Sequence, residues 1–219
     1  MKQRTLFIAA LVLLAAMFGA ATLIYRGQQT EKATQTAIQN REALVRFHSP
    51  SMGNADAPVH IVEFLDPACE TCAAFYPFVK DIMAAYPGKI RLTVRYAPFH
   101  QGSQDVVKVL EAARKQGKYW QALEALFGAQ QGWAQHHAAN VNLVWQYLAP
   151  LGLDMERLKS DMQAPEIDRI VRQDIADVQA LNVQKTPEYF VNGRPLPAFG
   201  DQQLLQLVRD ELERTSKGS

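Results

Sequence analysis

The feature that most restricts how this chain can fold is the placement of its only two cysteines. Cys69 and Cys72 stand three positions apart in 219 residues, a spacing that two randomly placed cysteines reach in about one sequence in a hundred. Before them runs Val59-His60-Ile61-Val62-Glu63-Phe64-Leu65, nearly continuous in apolar residues, as in a strand covered on both faces of a parallel sheet. Asp66-Pro67-Ala68 turns the chain. A helix is then expected from about Cys69 to Tyr86, with Phe75, Val79, Ile82, Met83 and Tyr86 at helical spacing, a kink at Pro77 and a stop at Pro87-Gly88. The pair therefore sits where a buried strand hands over to a helix.

That position has chemical consequences. A sulfur at a helix N-terminus faces unpaired N–H groups and the positive end of the helix dipole, both of which stabilise a thiolate. Cys69 is thus expected to be the exposed, reactive sulfur, and Cys72, almost a turn further in, the resolving one. A purely structural disulfide would close too small a loop to constrain the unfolded chain. A zinc site needs further ligands, and the five histidines (His48, His60, His100, His136, His137) are scattered. No metal is expected, and no cofactor beyond a redox-active Cys69–Cys72 disulfide. A copper-handling module using the two thiols as soft ligands is the reading from a different class. Glu63, a carboxylate inside an apolar strand, is expected to have a raised pKa and to accept a proton from Cys72.

The flanks divide the chain. Lys2 and Arg4 precede an apolar run from Leu6 to Tyr25, long enough to cross a bilayer and longer than the apolar part of most signal peptides. Residues 1–26 are read as an uncleaved single-pass anchor of the inner membrane in preference to a cleaved signal, with the remainder on the periplasmic or extracytoplasmic side. Residues 27–47 read as a polar stalk, helical or loosely ordered and solvated, in which Ile38, Leu44 and Val45 make at most a weak seam. The net charge of +1 gives no pointer to nucleic acid. Ile90–Tyr96 alternates as a second strand. Residues 103–182 are mainly helical in pattern, with expected helices Ser103–Gln116, Tyr119–Phe127, Ala138–Leu148, Met155–Met162 and Glu166–Leu181. Glu188–Val191, a turn at Asn192-Gly193 and a short strand near Leu196–Phe199 form a hairpin. A last helix starts at a capping Asp201. His136-His137 is read as exposed, and His100 as the start of the helical block.

Taken together, Phe64-Leu65-Asp66-Pro67-Ala68-Cys69-Glu70-Thr71-Cys72, Glu63 six positions before the first cysteine, Pro77, Ser51 to Pro58, and Thr186-Pro187 before Tyr189-Phe190-Val191-Asn192-Gly193 resemble the DsbA-like branch of the thioredoxin superfamily. The resemblance implies an α/β thioredoxin fold over 48–102 and 183–217, with an inserted helical domain over 103–182. It implies a thiol–disulfide oxidoreductase in which Cys69 and Cys72 exchange disulfides, Glu63 manages the Cys72 proton, and a cis Pro187 lies against the reactive sulfur. Glu70, Thr71, Thr186 and Glu188 would border the substrate. Exported cysteine-containing proteins or peptides would be the substrates, and a membrane redox partner of the DsbB type would reoxidise the pair; the alternative is a reductase or isomerase served by a DsbD-type donor. Glu70-Thr71 replaces the Pro-His common in strong oxidants of the family. With Glu188, it is expected to raise the Cys69 pKa somewhat and make the disulfide less oxidising.

Overall fold

A computed structural model describes residues 2–135 and 138–217. The elements, in chain order, are α1 (Lys2–Gln39), α2 (Arg41–Leu44), β1 (Ser51–Gly53), β2 (Val59–Leu65), α3 (Glu70–Ala85), β3 (Ile90–Tyr96), α4 (Ser103–Lys115), α5 (Tyr119–Gly128), β4 (Ala134–Gln135), β5 (Ala138–Ala139), α6 (Trp145–Leu148), α7 (Met155–Asp161), α8 (Pro165–Ala180), β6 (Glu188–Val191), β7 (Arg194–Pro195) and α9 (Asp201–Lys217).

Five strands form one sheet in the order β1-β3-β2-β6-β7. β2 pairs parallel with β3 and antiparallel with β6, so the strand leading to the cysteines lies at the centre. The apolar run of β2 follows from this position, since Val59, Ile61, Phe64 and Leu65 are all fully buried between layers. α3 and α9 cover one face, packing Val79, Ile82, Leu204 and Val208 onto Val59, Ile61, Leu92 and Tyr189. Helices α4 to α8 fall between β3 and β6 and build a second core around Leu110, Leu123, Leu126, Trp133 and Leu148, continuous with Leu65, Cys72 and Tyr96. This is a thioredoxin fold with a helical insertion, led by one helix long and apolar enough to cross a membrane.

Several local expectations need correction. Residues 138–148 are not one helix: Ala138–Ala139 pairs with β4, Asn140 accepts the backbone N–H of Asn142, and only Trp145–Leu148 is α-helical. An Asn that captures a nearby backbone N–H favours a turn over helix continuation. His136 and His137 lie outside the described residues. The hairpin turn at Asn192-Gly193 has φ of 48° and 80°, the pattern that two-residue hairpins favour. The returning strand is Arg194–Pro195, not Leu196–Phe199, with Leu196 N still donating to the Tyr189 carbonyl at 3.0 Å and the pairing ending before Pro197, which lacks a ladder donor. Asp201 is the first residue of α9 rather than its cap, and its carboxylate accepts from Gln202 N at 2.7 Å.

The solvated stalk is also revised. α1 continues as helix to Gln39, and Ala37, Ala43 and Leu44 are buried against Val62, Phe64, Val178 and Phe190. Behind them lies a buried ionic cluster. The fully buried Arg95 donates to Asp174 at 2.8 Å, to Asp177 at 2.6 Å and to the Ala43 carbonyl. Arg46 reaches Asp177, and His48 contacts Asp174 at 2.8 Å. Removing one member of such a cluster strands the others in low dielectric. Arg95→Met is expected to lower the unfolding free energy by about 3–5 kcal/mol in urea denaturation; an unchanged midpoint would mean that the cluster contributes little.

Candidate active site

Cys69 is the N-cap residue of α3, with extended φ and ψ of −77° and 118°. Asp66 sets the loop before it. Its buried carboxylate accepts Ala68 N at 2.8 Å, His100 N at 2.8 Å and His100 Nδ1 at 2.7 Å, and also the Ser103 hydroxyl. Its carbonyl accepts Cys69 N at 3.0 Å. An Asp that bonds two residues ahead is a standard turn former. Here it also fastens the cysteine loop to the start of α4.

A second clamp comes from the helical insertion. The Gln130 amide donates to the Pro67 carbonyl at 2.9 Å and to the Cys69 carbonyl at 3.1 Å, and the residue is buried. From the other side, the Thr186–Pro187 peptide bond is cis, and the Thr186 carbonyl accepts from Cys69 Sγ at 3.4 Å. The result corrects the expectation of an exposed sulfur. Cys69 is only 6% exposed and Cys72 0%, because the proline loop and Gln130 close over the helix start. The order of accessibility still favours Cys69.

The electrostatics separate the two thiols. The Cys69 thiol is pulled down to about 5, chiefly by a hydrogen bond from Cys72, against the opposing effect of burial, with Thr186 and the backbone N–H groups of Cys72 and Thr71 assisting. The Thr71 and Cys72 donors belong to the first turn of a helix, where a negative charge is favoured. The Cys72 thiol is pushed well above its usual value, first by burial and then by Cys69 and Glu63. Glu70 and Thr71 point to solvent, and the donors around the sulfur prevail, so the net shift runs opposite to the one expected from Glu70.

Glu63 is fully buried on β2, opposite Tyr189 of β6. Tyr189 Oη donates to Glu63 Oε1 at 3.1 Å. Glu63 Oε2 has no hydrogen-bond partner among the described residues. Burial pushes this carboxyl up to about 8, against the Tyr189 bond and with a further contribution from Cys69, so it holds its proton at neutral pH. Glu188 follows Pro187 but lies half-buried on the other face of β6, with Phe190 toward α1. Adjacent strand residues alternate, which removes it from the sulfur. Cys69, Cys72, Glu63, Thr186 and Pro187 therefore converge, whereas Glu70 and Thr71 border the site and Glu188 faces away.

Sequence reasoning missed Asp66, His100, Ser103, Gln130 and Tyr189. Asp66 carried a signal as the first residue of a turn two positions before Ala68. Tyr189 could be found only by knowing the β2–β6 register. Gln130, in an irregular stretch of the insertion, carried none.

Fold and site together define a cysteine pair at a helix start on a thioredoxin scaffold. A family profile described as thioredoxin matches residues 47–210. A thioredoxin-like oxidoreductase from Silicibacter pomeroyi DSS-3 superposes with a TM-score of 0.68 at 32% identity, covering 82% of this chain and 99% of that one. Oxidised BdbD from Bacillus subtilis gives 0.68 at 25% identity over 76% and 94%. Wolbachia pipientis alpha-DsbA2, a thiol–disulfide exchange protein, shares the fold with a TM-score of 0.70 at 20% identity over 84% and 97%. The chain belongs to the thioredoxin family, and the likeness to alpha-DsbA2 is one of fold. Curated relatives include the Na(+)/H(+) antiporter NhaA of Herminiimonas arsenicoxydans, 31% identical over 167 residues, 76% of this chain and 25% of that protein. The chain spans about a quarter of the length of the curated relatives it matches.

A folded carboxyl at about 8 binds a proton that the unfolded chain releases near 4.5. Between these values the unfolded state holds fewer protons, and native stability falls as pH rises. Glu63→Gln is expected to gain about 1–3 kcal/mol over the parent at pH 7.5 and nothing at pH 4.5, measured by denaturant unfolding at both; a constant difference would place the charge elsewhere.

Proposed function

We propose that this chain is a membrane-anchored, extracytoplasmic oxidant of protein thiols, introducing disulfides into exported proteins through Cys69 and Cys72. The observation that carries the reading is the placement of Cys69 at the N-cap of α3, 3.4 Å from the Thr186 carbonyl of a cis Thr186–Pro187 loop, where the nearby donors pull its thiol down to about 5. A stabilised thiolate favours the reduced protein and so makes its disulfide the better oxidant. At pH 7, a thiol at about 5 in place of one near 9 shifts the exchange equilibrium by about a hundredfold, or about 60 mV for two electrons.

In the first step a substrate thiolate attacks Sγ of Cys69, the Cys69–Cys72 bond breaks, and Cys72 leaves with the electron pair. Glu63, protonated at neutral pH and buried beside this sulfur, delivers its proton to Cys72, whose thiol is the weaker acid. The second substrate thiolate then attacks the substrate sulfur of the mixed disulfide, and Cys69 departs as the thiolate that its helix start stabilises. Two substrate thiols become one disulfide and the enzyme disulfide becomes a dithiol. A membrane redox partner of the DsbB type would restore the disulfide. Pro187, lacking an N–H, leaves the Thr186 carbonyl as the polar group facing the sulfur, and the neighbouring backbone would pair with the substrate chain.

The apolar helix from Leu6 exposes its side chains throughout, Phe7 by 76% and Phe18 by 77%, as an anchor in lipid requires. With Lys2 and Arg4 on the cytoplasmic side, the catalytic domain would face the periplasm. Equilibration with glutathione is expected to give a potential above about −200 mV, and Cys72→Ala to accumulate mixed disulfides through Cys69 while Cys69→Ala oxidises no dithiol peptide. A potential below about −250 mV would instead support a reductase kept reduced by a DsbD-type donor.

A further inference from the structure

The connection between the apolar segment and the catalytic domain is continuous helix. α1 runs unbroken from Lys2 to Gln39, through Gly27, and no glycine or proline occurs between Gln28 and Ser49. Up to Tyr25 its large apolar side chains are exposed. From Thr30 onward one face becomes covered: Thr30, Ala33, Thr34, Thr36 and Ala37 recur at helical spacing and lose exposure, Ala37 to 2%. The threonines are half-buried there, and each hydroxyl donates to the carbonyl one turn back, Thr30 to Arg26 at 3.0 Å, Thr34 to Thr30 at 2.8 Å and Thr36 to Lys32 at 2.9 Å, which satisfies it within the helix.

This small-residue face packs beside the edge strand β7 and continues into α2, where the Ala43 carbonyl is held by Arg95 and Arg46 by Asp177. The same face of α1 forms one wall of a groove of about 470 Å³ whose other wall includes Lys185 and Glu188. Those two residues flank the Thr186–Pro187 pair that touches Cys69.

We infer that α1 is a strut of fixed length, holding the exchange site at one height above the bilayer so that it serves cysteines on polypeptide segments kept at the membrane surface. The inference rests on the proposed membrane span and on the proposed exchange activity. Its magnitude follows from helix rise. Thr30 and Thr36 lie five and eleven residues beyond Tyr25, about 8 and 16 Å along the axis, and a tilt of about 20° changes this little. A domain of this size has a radius of gyration of about 16 Å, so its Lys185–Glu188 edge sits close to the headgroups. A flexible tether of the same length would let the domain turn freely, and a few added residues would barely alter its reach.

The test uses the full-length protein in lipid vesicles. An Ala-rich helical insertion of about seven residues, placed after Gly27, lengthens the strut by about 10 Å. A fluorophore on Thr71→Cys, with Cys69→Ala and Cys72→Ala, reports its distance to acceptor lipids. The distance is expected to rise by about 10 Å. With both native cysteines present, the insertion is expected to slow oxidation of a dithiol peptide on a short lipid tether at least fivefold, and of the same peptide free in solution less than twofold. An unchanged distance, or an unchanged rate on the tethered peptide, overturns the strut. Failure of the protein to float with vesicles overturns the membrane span and the strut together. Failure of the unmodified protein to oxidise the free peptide overturns the exchange reading alone, since the distance shift still reports the strut.

Discussion

The negative charge on one sulfur organises this molecule. Cys69 caps α3, receives hydrogen bonds from Cys72 and from backbone N–H groups of the first helical turn, and faces the Thr186–Pro187 loop, whose Thr186 side chain also lowers its pKa. Each of these groups needs a different part of the fold. The central position of β2 aims the helix start, the antiparallel β6 brings Thr186 and Pro187 back across it, and the insertion contributes Gln130 from above. A thioredoxin sheet alone would supply the first two. The insertion fixes the loop's carbonyls through Gln130, with Cys69 only 6% exposed.

Glu63 is the counterpart of that charge. A carboxylate at the centre of a buried sheet destabilises the native state at neutral pH unless it stays protonated, and one hydrogen bond from Tyr189 does not satisfy it. Such a residue weakens the fold in exchange for function, the usual pattern where local rules are broken. In the proposed exchange its proton would matter when the disulfide opens and Cys72 must be neutralised. The two groups would then act at opposite ends of one step, Cys69 lowering the cost of leaving as a thiolate and Glu63 removing the charge from Cys72.

Much of this was legible in the sequence, for physical reasons. A strand buried on both faces writes a continuous apolar run, so β2 and the lone Glu63 within it stood out, as did the cysteines at the helix start and Asn192-Gly193 at the hairpin. What stayed hidden depended on long-range register or on capture by the folded body. Glu188 looked like a neighbour of Cys69 because it follows Pro187, but strand alternation turns it toward α1. Residues 27–47 looked solvated because they are polar, yet their threonines satisfy themselves within the helix while Ala37, Ala43 and Leu44 bury. The Ala138–Leu148 segment has helical composition, and tertiary pairing with β4 and Gln101 overrides it.

The central claim is that the reduced protein is favoured because Cys69 carries its charge in the folded state. The most direct measurement is the unfolding free energy of the dithiol and disulfide forms across pH. A thiol lowered to about 5 in the native state contributes stability that is absent below that pH and grows as pH rises toward the unfolded value near 9. The dithiol form should therefore gain on the disulfide form from pH 5 upward and exceed it at pH 7. A difference independent of pH, or a disulfide form that is the more stable throughout, would contradict the account.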